Sequence, residues 1–359
     1  MKVKYLFLAL VSLAMLSSCE MMKEDVDDTY CGVFINFKYD YNLQRADMFN
    51  EHVGGITLYV FDSDGRFIKT YEDNNIPKMG MMLLDGSYAY CMRISDLPTG
   101  NYRFIALANQ KPYQQTLNTA GAKYRRSELK VDDPQENLYV TLENTAGQVS
   151  NAAPLDTLWH GMTGSTPVAV NSHGYSVATI SLMRDTKMLT IGLHNLDEDK
   201  RTNISAEDFD ITIRDKNGRI AYNNDVVEEQ TLTYTPFRKW DTQTIDANGK
   251  VVDKTAHASL TFNRLMLHKD IKDDAVLTIV NKKDGHEVAN INLAQFLAQG
   301  RNAIDNYRYG EQEYLDRGYD FYMDFFIKGE DWHEIELSIG IGLHVLSWAR
   351  RIQRVDLEQ

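Results

Sequence analysis

The sequence contains little cysteine, proline or histidine, with 3, 7 and 9 residues of each kind in 359. Three cysteines cannot build a disulfide scaffold or a cysteine-ligated metal cluster, and the histidines are scattered singly. No serine lies in a G-x-S-x-G elbow, and His333-Glu334 is followed by no second histidine at the spacing of a zinc protease. The sequence therefore predicts no catalytic residue, no cofactor and no metal site, and we expect the protein not to be an enzyme.

Basic residues are also fewer than acidic residues. The chain has 38 Lys and Arg residues against 51 Asp and Glu residues, which gives a formal net charge of −13. Nucleic acids and anionic lipid surfaces are bound through clustered Lys and Arg side chains that neutralise phosphate. The acidic balance therefore excludes nucleic acid from the expected partners.

A long apolar run is absent except at the N-terminus, where Lys2 and Lys4 precede the apolar residues 6–16. That run is too short to span a bilayer as a helix, and its basic start and small-residue end are typical of a cleaved export signal, residues 1–18. Its end, Leu16-Ser17-Ser18-Cys19, resembles the lipobox of bacterial lipoproteins. The resemblance implies cleavage before Cys19 and acylation of that residue, which would hold the protein on a membrane. The alternative is an ordinary secretory signal in which Cys19 has no role.

Residues 19–29 are polar and show no periodic pattern, which predicts a lipidated linker between membrane and fold. Within the linker, Lys23-Glu24-Asp25 resembles the surface-export signal of Bacteroides-type lipoproteins, with a solvated charge run as the alternative. Once Cys19 is lipidated, Cys31 and Cys91 remain, and two thiols in an exported protein can form one disulfide. The sequence leaves that pairing open because it does not place the two Cα atoms within bonding distance.

The rest of the chain shows the period-two alternation of β-strands, beginning with Val33, Ile35 and Phe37. Turn residues at 62–65, 96–101, 215–218 and 283–285 separate such runs, and each turn predicts a hairpin. Short helices are expected near 114–124 and at 293–298, and residues 144–174, rich in Gly, Ser, Thr, Asn and Ala, are interpreted as a linker. The pattern predicts an all-β fold of two tandem β-sandwich domains, residues 30–168 and 169–359.

The clearest alternation lies near the C-terminus, in the runs 319–327 and 335–345. The second run carries an apolar residue at every other position: Ile335, Leu337, Ile339, Ile341, Leu343 and Val345. Eleven extended residues span about 36 Å, which is longer than an average strand. The run is therefore interpreted either as a strand broken at Gly340 or Gly342, or as one that reaches past its own domain. It is either a resident strand of the second domain or a donor strand lent to a neighbouring subunit.

Several segments together resemble one family. They are the lipobox, CGVFINFKYDYN at 31–42, ITLYVFD at 56–62 with Gly65, LPTGNY at 97–102, LWHG at 158–161 and the alternating C-terminus. As a set they resemble the FimB-type fimbrial anchor and accessory lipoproteins of Bacteroides-like bacteria, over nearly the whole mature chain. The resemblance implies two transthyretin-like β-sandwich domains, a lipidated N-terminus in the outer membrane, exposure at the cell surface, and fimbrial shaft or accessory subunits as partners. It carries over no catalytic residue.

The predicted function is a fimbrial anchor or accessory subunit that joins or terminates a fimbrium by β-strand exchange, since an unpaired sheet edge can accept a strand from another chain. The alternative is a surface glycan-binding lipoprotein. That alternative requires aromatic side chains on an exposed face, and the four tryptophans, which otherwise pack in the core, are the candidates: Trp159, Trp240, Trp332 and Trp348. A host surface ligand is a further candidate partner.

Overall fold

The computed structural model describes residues 32–77, 81–82, 88–302, 306–328, 334–345 and 349–356, with residues 81–82, 88–89, 334–345 and 349–356 described by their backbone alone. Within these segments the fold is all-β, as the alternating sequence predicts, with β-sheets packed as sandwiches and only short helices.

The strands are β1 (Gly32–Tyr41), β2 (Gly55–Asp62), β3 (Phe67–Asp73), β4 (Met81–Met82), β5 (Tyr88–Ile94), β6 (Gly100–Asn109), β7 (Tyr124–Arg126), β8 (Tyr139–Leu142), β9 (Leu158–Met162), β10 (Val168–Val170), β11 (Tyr175–Arg184), β12 (Lys187–Asn195), β13 (Phe209–Asp215), β14 (Arg219–Ala221), β15 (Val226–Val227), β16 (Leu232–Tyr234), β17 (Arg238–Ile245), β18 (Val251–Phe262), β19 (Val276–Asn281), β20 (Glu287–Asn292), β21 (Asp320–Lys328), β22 (Glu334–Val345) and β23 (Ala349–Asp356). The α-helices are α1 (Phe49–His52), α2 (Tyr113–Thr116), α3 (Leu293–Ala298) and α4 (Glu311–Arg317).

The first sheet curves around its own core. Its described strands follow the order β3-β2-β6-β9-β11-β1-β5-β4, with β10 paired to β6. Phe37 of β1, Leu58 of β2 and Ile180 of β11 are fully buried and belong to one hydrophobic cluster, although β2 is three strands away from β11 in the sheet order. Trp159 of β9 is 1% exposed in the same cluster, and its ring meets that of Tyr39 edge-on at 5.6 Å. Trp159 therefore packs in the core.

Two of the four predicted hairpins form. Strands β2 and β3 pair around Gly65, and β19 and β20 pair around Gly285; both glycines have positive φ, which a glycine adopts without strain. The turns at 96–101 and 215–218 do not make hairpins: β5 pairs with β1 while β6 pairs with β2 and β9, and β13 and β14 lie in different sheets. Turn residues decide where the chain reverses, but burial decides which strand becomes the partner.

The interpretation of residues 144–174 as a linker is wrong. The segment contains β9 and β10, and β9 pairs with both β6 and β11 inside the first sheet. One of its small residues is required by close packing: a Cβ on Gly161 would lie 2.6 Å from Cγ2 of Ile180. A composition typical of linkers therefore does not exclude strands from this segment.

Strand β11 follows the predicted domain boundary at residue 168 but belongs to the first sheet. It runs parallel to β1, with Gly32 opposite Tyr175 and Phe37 opposite Ile180. The chain passes to the next sheet through Asp185 and Thr186, between β11 and β12. A first domain that ended at residue 168 would lack β11, although β11 pairs within the first sheet. The limits of the two domains stay a prediction.

The second half of the chain builds a sandwich from two sheets. One sheet has the order β17-β18-β12-β21-β22-β23, and the other has the order β16-β13-β19-β20. Alternate residues of β12, β13, β18, β19 and β21 fill the space between them and are at most 2% exposed: Leu189, Ile191, Ile211, Ile213, Leu260, Leu277, Ile279, Phe321, Met323 and Phe325. Helix α3 forms at the predicted residues and buries Leu293 and Leu297.

One of the two hydrophobic cores is built by both halves of the chain. A smaller sheet, β15-β14-β8-β7, pairs β8 with β14, which come from opposite sides of residue 168. Val140 of β8, Phe61 of β2 and Leu189 of β12 belong to the same buried cluster. The outer face of the first sheet therefore continues into the core of the second sandwich.

A buried polar cluster lies at this junction. Lys187 is 1% exposed, and its ammonium donates hydrogen bonds to the backbone carbonyls of Arg184 (2.9 Å), Asp316 (2.8 Å) and Gly318 (2.8 Å). Arg264 holds the Asp316 carboxylate by two hydrogen bonds of 2.8 Å, the bidentate geometry that guanidinium favours. Burial lowers the pKa of Lys187, while the carboxylate of Asp316 acts to raise it. The cluster ties the chain between β11 and β12 to helix α4.

Candidate functional site

Most of the predicted N-terminal site lies outside the described residues. This applies to Cys19, to the Lys23-Glu24-Asp25 motif and to Cys31, since the described chain begins at Gly32. Cys91 lies on β5 opposite Asn36 of β1 and has a free thiol in the described chain, and burial raises the pKa of that thiol to about 11. Lipidation, the export signal and the Cys31–Cys91 disulfide stay predictions.

The predicted donor segment forms strand β22. Its backbone is continuous from Glu334 to Val345 and pairs with β21 on one side, from Lys328↔Glu334 to Phe321↔Ile341. On the other side it pairs with β23, which ends the sheet. In this chain the segment is therefore a resident strand, and its transfer to another subunit stays a prediction. The apolar positions Ile335, Leu337, Ile339, Ile341, Leu343 and Val345 are described by backbone alone.

Strand β17 is the opposite edge of the same sheet. It pairs with β18 from Arg238↔Ser259 to Ile245↔Val251, and no other described strand pairs with it. Residues 241–245 are exposed, which leaves a run of backbone N–H and C=O groups at the edge. Charged side chains on an edge strand discourage unwanted pairing, and β17 carries Lys239, whose ammonium donates to the carbonyl of Phe209 at 2.7 Å.

The second described tryptophan, Trp240, lies on this edge strand. Its ring stacks on that of His257 at 5.0 Å, and the guanidinium of Arg238 lies 4.7 Å from its centroid. Because Trp240 packs against neighbouring side chains and Trp159 is in the core, the described tryptophans form no row of aromatic side chains on one exposed face. Trp332 and Trp348 lie outside the described residues.

A polar groove was missed by the sequence reasoning. It lies on the outer face of the sheet β16-β13-β19-β20, has a volume of about 470 Å³, and is lined by residues that include Thr212, Arg214, Lys272, Thr278 and Asn290. The alternation of buried and exposed residues in β13 and β19 could have placed Thr212, Arg214 and Thr278 on one outward face. It could not have shown that β20 and the loop carrying Lys272 complete the groove.

The described residues contain neither a membrane-spanning helix nor a candidate metal site. No helix there is both long and apolar enough to cross a membrane. No three His, Cys, Asp or Glu side chains there are grouped so that they could hold a metal ion.

The packed β-sheets and the few short helices of the described residues place the protein in the class of all-β sandwich proteins. Residues 26–353 match the family model of the fimbrillin-A associated anchor proteins Mfa1 and Mfa2. The chain therefore belongs to this family of fimbrial anchor proteins, as its sequence motifs indicated. No curated protein matches the chain.

Solved structures agree with this assignment. A proposed adhesin from Bacteroides thetaiotaomicron is 25% identical, with a TM-score of 0.68 over 87% of this chain and 97% of the other. A proposed polysaccharide-binding protein from the same organism is 25% identical, with a TM-score of 0.66 over 86% and 95%. The fimbrial anchor protein Mfa2 from Porphyromonas gingivalis is 16% identical and shares the fold, with a TM-score of 0.57 over 86% and 95%. The family and these neighbours together indicate a fimbrial accessory or adhesin role.

Proposed function

We propose that this protein is a fimbrial anchor or accessory subunit, tethered by lipid on Cys19 to the outer membrane at the cell surface, that joins or terminates a fimbrium by β-strand exchange. The match of residues 26–353 to the fimbrial anchor family carries the proposal. A role without catalysis agrees with this family, which is of anchor type.

The lipid tether rests on the N-terminal sequence. Twelve residues, 20–31, separate Cys19 from the first residue of β1. Fully extended, they span at most about 40 Å, which is long enough to hold the sandwiches clear of the lipid headgroups. The acidic protein, with a net charge of −13, gains little attraction from an anionic membrane, so the acyl chains supply the attachment.

Strand exchange is supported by the position of the last two strands. Strands β22 and β23 occupy one end of their sheet, so they can leave without displacing any strand between β17 and β21. Their departure would expose the edge of β21 to an equivalent strand from a neighbour. Alternating Ile, Leu and Val residues from Ile335 to Val345 would then fill the core of the partner, as the donor prediction requires.

Labelling with palmitate tests the tether. The wild-type protein is expected to incorporate radiolabelled palmitate, whereas Cys19→Ala is expected to incorporate none and to leave the membrane. Electron microscopy of the variant cells should show fimbriae in the medium. Equal labelling of the two proteins, or fimbriae that stay on cells with Cys19→Ala, would contradict the proposal.

A pair of substitutions in β22 tests the exchange. Ile339→Asp places a charge on the apolar side of the alternating sequence, and Ser338→Asp places the same charge on the other side. We expect Ile339→Asp to release fimbriae from cells while the protein stays folded and labelled with palmitate, and Ser338→Asp to keep them attached. Attachment that survives both substitutions, or is lost equally in both, would rule out this strand as the donor.

The alternative of a glycan-binding lipoprotein that uses a row of tryptophans has less support. Trp159 is buried and Trp240 packs against His257, so neither lies in a row of exposed aromatic side chains. The anchor function is therefore preferred.

A further inference from the structure

We propose that an uncharged surface at the start of strand β11 rests on the lipid headgroups of the membrane that holds the lipid on Cys19. The surface consists of residues 163–179 together with Phe34 of β1. The inference depends on the proposed lipid tether and adds to it a fixed orientation of the first sandwich on the membrane. It is supported by the absence of charge, by a group of outward apolar side chains and by the position beside the tether.

The surface belongs to the longest run of the chain without a charged residue. No Asp, Glu, Lys or Arg occurs between Asp156 and Arg184, although 27 residues at the 25% charged content of the whole chain would contain about seven. Burial explains only part of this absence, because charged side chains normally occupy solvent-exposed positions and the surface has many of them. Its exposed residues are 164–166, Ala169, 171–173, Val177 and Thr179.

Apolar side chains lie at the centre of the surface. Phe34 of β1 and Val177 of β11 are directly opposed and therefore share a face of the sheet. This is the outer face, because the neighbouring Val33 and Ile35 are fully buried in the core. Tyr175 lies on the same face, two residues before Val177, and its ring meets that of Phe34 edge-on at 5.0 Å. Val177 is 54% exposed, so this group gains stability when a headgroup layer covers it.

The charged residues that border the surface are compatible with anionic headgroups. Arg93 of β5 lies opposite Phe34 on the same face, where its guanidinium can donate hydrogen bonds to lipid phosphate. Asp96, in the turn after β5, has its carboxylate paired with the ammonium of Lys69 at 2.5 Å. Asp62 of β2 is separated from the surface by strand β6, which pairs with β2 at one edge and with β10 at the other. The surface itself contains no carboxylate that an anionic headgroup would repel.

The surface lies beside the point where the chain arrives from Cys19. Strands β1 and β11 are parallel, with Gly32 opposite Tyr175, so both begin at the same end of the first sandwich. Residues 20–31 join Cys19 to Gly32, and a flexible chain of this length has an average end-to-end distance of about 20 Å. Strand β1 spans about 33 Å, so the opposite end of the sandwich lies farther from the lipid.

The position and the charge together favour a membrane over a protein partner. A fimbrium extends away from the membrane, whereas this end of the sandwich is held next to it by the tether. The whole protein has a net charge of −13, and anionic headgroups repel acidic surfaces within a distance of about 10 Å. An uncharged surface can therefore approach the headgroups where the rest of the protein cannot.

Hydrogen exchange on vesicles tests the contact. The lipidated wild type and unlipidated Cys19→Ala are each mixed with vesicles of phosphatidylcholine and phosphatidylglycerol, without other fimbrial proteins. We expect the backbone amides of the loop 164–174 to exchange at least about threefold more slowly in the wild type, because a covered loop opens less often. The exposed turn 246–250 should exchange equally in both proteins.

Flotation of the protein with the vesicles reports the tether, and exchange reports the surface. A wild type that floats while the loop 164–174 exchanges as in Cys19→Ala would overturn the contact and leave the tether intact. A wild type that does not float would overturn both. Slower exchange that appears only after a fimbrial subunit is added would show that the surface binds protein instead of lipid.

Two matched substitutions locate the contact. Val177→Asp places a carboxylate in the centre of the surface, and Val252→Asp places one on β18, at a valine that is 41% exposed. On vesicles we expect Val177→Asp to float but to lose the slower exchange of the loop 164–174, since its charge would face anionic headgroups. Val252→Asp should retain the slower exchange, and circular dichroism confirms that both variants are folded. Slower exchange that persists in Val177→Asp, or is lost equally in both variants, would contradict this orientation.

Discussion

Gly161 lies where strand β9 passes close to β11. A Cβ at this position would stand 2.6 Å from Cγ2 of Ile180, 2.8 Å from Cδ2 of Leu182 and 2.8 Å from the backbone oxygen of Ser181. One of these contacts is with backbone, which cannot rotate away as a side-chain end can. The residue therefore has to be glycine for steric reasons, although its φ is not among the positive values.

The steric constraint predicts the effect of one methyl group. Gly161→Ala should lower the free energy of unfolding by about 1–3 kcal/mol, because extra volume forces strands apart in a close-packed core. Urea denaturation measures the loss. Gly164→Ala is the matched control, since a Cβ there meets no atom within 4 Å. A loss of equal size in both variants would contradict the steric explanation.

The neighbouring His160 makes the stability depend on pH. It is 4% exposed, its ring nitrogen Nε2 lies 2.7 Å from the carbonyl oxygen of Tyr222, and burial lowers its pKa to about 4. An unfolded histidine titrates near 6.5, so between about pH 6.5 and pH 4 the unfolded chain binds a proton that the folded chain does not. The contribution of His160 to stability is therefore complete above about pH 6.5 and declines by up to about 3 kcal/mol as the pH falls to about 4.

Replacing this histidine should flatten the pH dependence. The free energy of unfolding of His160→Gln, measured in urea at pH 5 and pH 7, should differ less between the two conditions than that of the wild type. His173→Gln, at an exposed position, should retain the dependence of the wild type. If His160→Gln were as acid-sensitive as the wild type, other groups would be responsible.

At the scale of elements, β11 completes the first sandwich from beyond the segment interpreted as a linker. Its alternate residues differ sharply in exposure: Ile180 is fully buried in the first core, whereas Val177 is 54% exposed. Its parallel pairing with β1 brings together segments about 140 residues apart in the sequence, from Gly32↔Tyr175 to Phe37↔Ile180.

A substitution on each face of β11 tests its role. Ile180→Ala should destabilise the protein by about 2–4 kcal/mol, the usual cost of a cavity at a buried aliphatic position. Val177→Ala should change the stability by less than about 0.5 kcal/mol, as is usual at the surface. Urea denaturation of both variants measures the change in the free energy of unfolding. A large loss of stability in Val177→Ala would contradict the assignment of Val177 to the solvent-exposed face of β11.

At the scale of the whole molecule, the two halves should unfold together. One of the two hydrophobic clusters contains both Phe61 of the first half and Leu189 of the second, and β8 pairs with β14 across the predicted boundary. The hydrogen bonds of Lys187 add to this coupling at the passage from β11 to β12. Because the two halves pack against each other, unfolding of one half removes contacts that stabilise the other. We therefore expect both halves to unfold in a single step.

Calorimetry tests this cooperativity. The protein should show one thermal transition, and Ile180→Ala in the first core and Leu260→Ala in the second should both shift that same transition downward. Agreement between the calorimetric and van't Hoff enthalpies would confirm a single step. Two resolved transitions, each moved by one of the variants, would show that the sandwiches are independent.

Features decided by near neighbours in the chain were predictable. The period-two pattern that places Phe321, Met323 and Phe325 on one face holds in the structure, as do the hairpin at Gly65 and helix α3. Each depends on residues within a few positions of one another, so sequence spacing is sufficient. The lipobox at Cys19 is local in the same sense, and its chemistry is a prediction from that spacing alone.

Features that depend on residues far apart in the sequence could not be predicted from it. The hairpin predicted between β5 and β6 does not form, because β5 pairs with β1 while β6 pairs with β2 and β9. The linker predicted at 144–174 contains two strands, β9 and β10, that pair with segments distant in the sequence. The groove is of the same kind, because Arg214, Thr278 and Lys272 meet through strand pairing and loop placement.

The sequence by itself determined that the chain is all-β and carries no recognisable catalytic motif, and its motifs pointed to the fimbrial anchor family, because alternation and turn chemistry act over short stretches. The tertiary structure alone decided which strands pair, that one core joins both halves, and where unpaired polar groups gather. Those outcomes depend on burying apolar surface contributed by segments far apart in the chain, which local spacing does not encode.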